Sequence, residues 1–501
     1  MEHAQKLTTV AGVFVPTAFL KKQQASNDGE AENKYYEVVN VVIDAEKGTI
    51  AQVGSPDAVP VVGTEVDGKN KLLLPGFVNA HTHSSEMWVR GEIDMLPLEL
   101  WLASLSDFAP ADTESVYLSC LHNAMETIAS GGTCVVDHLS PIPGRLVESV
   151  EAAVRAYKEI GIRACIAPLI GDLPLECSFP SEPGKEPKQF APTISTENLL
   201  RDMETAIQRF HQPEQGIYMM VGPTGLQLCT DELIKGCIAL SEKYSLARHI
   251  HCLETKAQVK LAHEKYGCSA VEHLRDLQFL GPRTSCAHCV WLDEKDIQIF
   301  KETETTAVHN ALSNIRLGSG IAPVLKYRDA GVNVAMGCDG AASNDSQDLL
   351  EAIKIGTLLH NVTEFDYRKW LKPIDSLVMA ALGGATGLGL QNELGTIEEG
   401  KKADLVLFDL EHSLSLLPRT DIVGLLVMGR PTPDAVHSVW VNGKRVLAQH
   451  NIFTTIDREA LRQKIFEKSQ WKLTPRASET RNALESGYRA AMGLPSCERK
   501  E

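Results

Sequence analysis

From about residue 71 to residue 340 the chain alternates between two hydrophobic periods. Apolar runs of strand length are followed by longer stretches in which apolar residues recur every three or four positions. The strand-like runs are Lys71 to Val78, Gly131 to Asp137, Ile162 to Pro168, Ile217 to Gly222, Ala247 to Cys252, Ser285 to His288, Thr306 to His309 and Val332 to Gly337. Helical patterns cover Ser115 to Ala129, Leu146 to Tyr157, Thr196 to Phe210 and Thr230 to Tyr244. Strands alternating with helices predict parallel pairing, because a parallel neighbour is reached only through a long crossover. About eight such units predict an α/β fold, a distorted (β/α)8 TIM barrel. Its chemistry belongs at the C-terminal strand ends.

The flanks read differently. Residues 8 to 70 hold short β-rich runs, among them Val38 to Asp44 and Thr49 to Val53. Short runs return near Ala403 to Asp409 and Val436 to Gly443. These segments are expected to join as one small composite β-sandwich domain from both chain ends. The predicted division is 1–74 and 394–455 for that domain, 75–393 for the metal-dependent barrel, and 456–501 for a charged helical tail without visible chemistry. The polar insert Lys21 to Lys34 reads as an exposed loop.

Composition narrows the function. A chain of 501 residues is long enough for a barrel plus a smaller domain. A net charge of -16 argues against binding a nucleic-acid backbone. No run approaches the ~18 apolar residues of a membrane span, and Met1 to Gln5 lacks the basic start of a leader. The 12 cysteines are scattered rather than paired, which suits reduced thiols in a cytoplasmic protein. Cys286 and Cys289 have C-x-x-C spacing, but no second pair lies at ligand distance.

Polar residues collect where strands are expected to end. Leu74-Pro75-Gly76-Phe77-Val78-Asn79-Ala80 runs into His81-Thr82-His83. Alternate residues of a strand share a face, so the two imidazoles are placed side by side. His249 and His251 close another strand, with Glu254 after them; His288 closes the next, and Asp339 follows the last. A single histidine at a strand end is most often a hydrogen-bonded structural residue. Several imidazoles and carboxylates at successive ends of one barrel fit a mixed N/O site for Zn²⁺ or a similar ion. Spacing alone does not separate His249 from His251. Gln227, Arg90, Trp101 and His138 fall near the expected barrel-top loops. Each suits either pocket lining or loop packing.

Taken together, these motifs resemble the amidohydrolase superfamily, in its chlorohydrolase/aminohydrolase branch of triazine, guanine-type and adenosine-type enzymes. Pro75 to His83, His251-Cys252-Leu253-Glu254, Ala287-His288-Cys289, His309-Asn310-Ala311-Leu312-Ser313-Asn314, Gly337 to Asn344 and Leu394 to Leu405 carry the resemblance. It implies His81, His83, His251 and Asp339 as ligands of one divalent metal ion, zinc ahead of ferrous iron. The His-x-x-Glu pattern selects His251. Glu254, His288 and Asp339 are implied as the catalytic groups. The implied activity is deamination of an amino-substituted N-heterocycle (purine-, pterin- or pyrimidine-like), releasing ammonia through metal-bound hydroxide. The same site with another leaving group would be a triazine chloro- or alkylamino-hydrolase, or a cyclic amidohydrolase. Intact Glu254, His288 and Asp339 argue against a silent binding protein. The region Met219 to Cys229 has no lysine to bridge a second metal. It also reads Gly222-Pro223-Thr224-Gly225 where adenosine-type members carry Pro-His-Ala-Pro. Ala311 stands where the family has proline. The expected partner is a small heterocyclic substrate, with neither nucleic acid nor membrane. Homo-oligomers are common in the family.

Overall fold

The computed structural model describes residues 6–21, 35–108, 112–187, 189–429, 431, 433–449, 452–469 and 478–495. Of the expected insert Lys21 to Lys34, all but Lys21 lies outside them. Eight parallel strands form the barrel: β1 (Phe77–Thr82), β2 (Gly132–Asp137), β3 (Arg163–Ile166), β4 (Ile217–Met219), β5 (Arg248–Cys252), β6 (Thr284–His288), β7 (Thr306–His309) and β8 (Val334–Met336). They pair in sequence order within two halves, β1 to β4 and β5 to β8. At one seam His249 N donates to Val221 O at 3.0 Å; at the other Asp339 N donates to His81 O at 2.9 Å.

The distortion lies in β3 and β4. Both expected strands run on to Pro168 and Gly222, but both break, after Ile166 and Met219. They resume as Leu169–Ile170 and Gly222–Pro223, paired with each other. Pro168 has no N–H to continue a ladder.

Strands from both chain ends form one continuous nine-stranded sheet, and its seam is the antiparallel pairing of Lys71–Pro75 with Leu405–Asp409. Val10, Val41, Ile50 and Leu73 from the N-terminal part share one buried cluster with Leu405, Leu407 and Trp440.

Lys71–Pro75 leads directly into β1. At Gly76 a Cβ would lie 2.1 Å from Thr133 Cγ2, so only glycine lets the chain cross there. A buried ion pair ties the barrel to the nine-stranded sheet: Arg163 on β3 donates to both Asp404 carboxylate oxygens, each at 2.9 Å. The tail supplies helices Arg458–Lys468 and Glu479–Ala491, and the second packs on helix Leu98–Leu105.

Candidate metal centre

The strand ends bring the expected ligands together. His83 Nε2 lies 3.2 Å from His251 Nε2. Asp339 Oδ1 lies 3.3 Å from His81 Nε2 and 3.4 Å from His83 Nε2. Each ring is fixed through its other nitrogen. His83 Nδ1 donates to His138 O at 2.7 Å, and His251 Nδ1 donates to Thr224 O at 2.5 Å. Both carbonyls accept, so both Nε2 atoms keep their lone pairs for the centre. The main-chain carbonyl of Thr224, in the Gly222-Pro223-Thr224 stretch, thus orients the His251 ring.

His249 and His251 share the inward face of β5 but lie at different depths. His249 is fully buried, and its Nε2 lies 2.7 Å from His81 Nδ1. Its Nδ1 lies 2.7 Å from Ser285 Oγ. The consistent proton arrangement runs from His81 Nδ1–H to His249 Nε2, and from His249 Nδ1–H to Ser285. His249 orients a ligand while His251 faces the centre.

The donor set fits a divalent cation. His81 Nε2 is buried and has no hydrogen-bond partner, and buried polar atoms are almost always satisfied. A cation facing His81, His83, His251 and Asp339 completes it. Burial holds His81, His138 and His249 well below the ordinary imidazole range, and burial with the neighbouring His83 and His288 takes His251 to about 3. Neutral imidazoles are what a metal requires. Burial alone would raise Asp339; its contact with His81 reverses this and holds the carboxyl well below the usual range. Replacing Ser285 with alanine frees His249 and thereby the orientation of His81. Metal affinity should fall about 10- to 100-fold, as read by competition with a chromophoric chelator. Unchanged affinity would remove His249 from this role.

The catalytic candidates stand beside the ligands. His288 Nε2 is 3.5 Å from Glu254 Oε2 and 3.8 Å from Asp339 Oδ2. His288 Nδ1 sits 2.9 Å from Asn314 Oδ1, and Ser319 Oγ donates to Glu254 Oε1 at 3.0 Å. Burial pushes Glu254 up to about 7 against the pull of His288. His288 and Asp339 both adopt left-handed backbone, with φ of 73° and 64°. Such conformations cost about 1–3 kcal/mol each and collect at functional sites.

A cavity of about 700 Å³ opens over this centre and touches His83, His251, Glu254, His288 and Asp339. Gln227 and Trp101 line it, and the Trp101 indole N–H is buried without an acceptor. Arg90 is not among the lining residues; its guanidinium pairs with Glu126 at 2.9 and 2.5 Å. His138 does not line it either. It lies behind the ligands, stacked 4.8 Å from the His251 ring, with Nε2 held 3.0 Å from Gly222 O. Its position follows from the strand end, but its service as a backing ring does not.

Sequence reasoning missed Glu86, which lines the cavity, is buried, and accepts from Ala342 N at 3.2 Å. Gly340 makes room for it, since a Cβ there would lie 1.8 Å from Glu86 Oε2. The one available signal was an acidic residue three places after His83.

No helix among the described residues is long and apolar enough to cross a membrane. The model of the amidohydrolase family matches residues 72–446. A 5-methylthioadenosine/S-adenosylhomocysteine deaminase from Caldanaerobacter subterraneus subsp. tengcongensis is 33% identical over 444 residues, covering 88% of this chain and 95% of that protein. A 5'-deoxyadenosine deaminase from Methanopyrus kandleri is 32% identical over 398 residues, covering 79% and 85%. The crystal structure of an adenosine deaminase from Xanthomonas campestris with bound zinc matches with a TM-score of 0.77 at 25% identity, covering 92% and 97%. The fold, the converging strand ends and these matches agree: the chain belongs to the amidohydrolase family and is a hydrolase of carbon–nitrogen bonds.

Proposed function

We propose that the protein is a zinc-dependent aminohydrolase that releases ammonia from an amino-substituted N-heterocycle. The observation that carries this reading is the convergence of Glu254, His288 and Asp339 on one ligand set at the floor of one cavity. The names of the relatives, all deaminases of adenosine-type compounds, support ammonia as the leaving group. The zinc in the Xanthomonas structure supports that metal. Held by His81, His83, His251 and Asp339, one divalent ion would supply Lewis acidity that makes water a nucleophile at neutral pH.

The protein's own groups divide the proton work. Glu254 donates a proton to the ring nitrogen beside the amino-bearing carbon, which makes that carbon the better electrophile. His288 hydrogen-bonds the attacking oxygen through Nε2, its Nδ1 being held by Asn314 Oδ1. Asp339 accepts the proton of the attacking water and passes it to the amino group, which leaves as ammonia. Gln227, with an amide donor and acceptor, and Trp101, with its free indole N–H, are the candidate ring-edge contacts. The free state of all eleven described cysteines supports a cytoplasmic protein.

The test is ammonia release from zinc-loaded protein on a panel of aminopurines, aminopterins and aminopyrimidines. Release of chloride or alkylamine from triazines, with no ammonia from any panel member, would replace this reading. A pH profile adds a second check. Glu254 is raised to about 7, so the proton it must donate is present below that pH and lost above it. kcat/KM should therefore fall through an alkaline limb near pH 7. A flat profile from about pH 6 to 9 would exclude Glu254 as the donor.

A further inference from the structure

Behind the ligands, the side-chain amide of Gln347 ties the strand of the histidine pair to the turn that carries Asp339. Gln347 lies just before helix Leu349–Leu358 and is 1% exposed. Its Nε2 donates to Asp339 O at 2.6 Å. Its Oε1 accepts from Thr82 Oγ1 at 2.9 Å and from Asn79 Nδ2 at 3.1 Å. Both partners are on β1: Thr82 stands between His81 and His83, and Asn79 precedes them. The direction of each amide bond is fixed. The Asp339 carbonyl can only accept, so Gln347 presents Nε2 to it and Oε1 to β1. Asn79 Oδ1 accepts from Cys338 N at 2.9 Å, so Asn79 presents Nδ2 to Gln347.

We propose that Gln347 is a positioning residue for Asp339: its amide holds the Asp339 main chain in the conformation that aims the carboxylate at His81 and His83. The inference rests on Asp339 as metal ligand and proton carrier, as read above. Asp339 has a left-handed backbone, φ 64°, and such a residue stays there only when its surroundings hold it. Its N–H is bound to His81 O at 2.9 Å, which secures one side. The carbonyl is the other handle. Thr82 Oγ1 lies 3.1 Å from it, but that hydroxyl has one proton for three acceptors, Asp339 O, Gln347 Oε1 and Asn123 Oδ1. Gln347 Nε2 is the nearer donor and the committed one. Because the same amide grips β1 through Oε1, it sets the spacing between the histidine pair and the carboxylate, the spacing that a single ion has to bridge.

Gln347→Glu keeps the shape and the Oε1 acceptor but brings no N–H to the Asp339 carbonyl. Gln347→Met keeps the length and loses both contacts. Zinc affinity, read by competition with a chromophoric chelator, should fall about 10- to 100-fold in each. The visible absorption of the cobalt(II)-loaded protein should change as the carboxylate shifts in the ligand set. At saturating zinc, kcat for ammonia release should fall about 10- to 100-fold with KM nearly unchanged. Thr82→Val removes the shared hydroxyl but leaves the Gln347 bond, and its effect on all three readouts should be smaller. A residue that served the fold alone would lower the unfolding midpoint and leave zinc affinity and the cobalt spectrum as they are. That result in both Gln347 variants, or failure of both to fold, overturns the proposal. Asp339→Asn is the control. If it keeps both metal readouts, Asp339 is not a ligand and the proposal falls with that assignment. Absence of ammonia release from the wild type overturns the aminohydrolase reading and leaves the two metal readouts to decide the role of Gln347.

Discussion

Glu254→Gln is expected to lower kcat/KM by roughly 10²- to 10⁴-fold, the range for losing a general acid–base residue, with metal content unchanged. The amide has the shape of the carboxyl and keeps the acceptor for Ser319 Oγ, now 3.0 Å from Oε1. It has no acidic proton to give a ring nitrogen. The side chain is outside the proposed ligand set of His81, His83, His251 and Asp339, so metal stoichiometry separates this variant from a ligand mutant. Steady-state ammonia release together with metal analysis provides the check. Full turnover by the glutamine variant would end the assignment of Glu254, and loss of zinc would mean that the carboxyl supports the metal instead.

The largest effect on stability is expected where the barrel meets the nine-stranded sheet. Arg163 and Asp404 side chains are 1% and 3% exposed and joined through two hydrogen bonds of 2.9 Å. Asp404 also accepts from Asn442 N at 2.8 Å. Asp404→Ala leaves a guanidinium buried without its counter-charge, and removing one partner of such a pair costs about 3–5 kcal/mol. The double replacement Arg163→Met with Asp404→Leu should recover most of that loss, because the desolvation cost disappears with both charges. Urea unfolding of the two variants measures this. A single variant that loses less than about 1 kcal/mol would mean that water reaches the pair.

Much of the site was legible because its information is local. A strand end, the turn after it and the i, i+2 alternation lie within a few residues. His81-Thr82-His83, the pair before Glu254, His288 and Asp339 could each be found in isolation, and their summed chemistry pointed to a cation. The β/α alternation was equally local: helix Thr196–Phe210 has the expected bounds, and Leu146–Ile160 runs three residues longer than its expected end. The C-terminal strands read as strands expected to join the N-terminal ones, and Leu405–Asp409 pairs with Lys71–Pro75.

The sequence by itself determined the elements and the face each polar residue occupies, and it pointed to a divalent ion for such a set of donors. Only the tertiary structure decided depth, partner and shape. His249 and His251 obey the same alternation, yet one lies a layer below the other and serves His81; periodicity specifies direction from the strand but not distance along the barrel axis. Arg90 found Glu126, and the ring of His138 moved behind the ligands, because the nearest counter-group is set by packing across distant segments. The tail showed no chemistry because its contribution is a surface. Helix Glu479–Ala491 meets a cavity whose other walls lie more than 200 residues earlier in the chain.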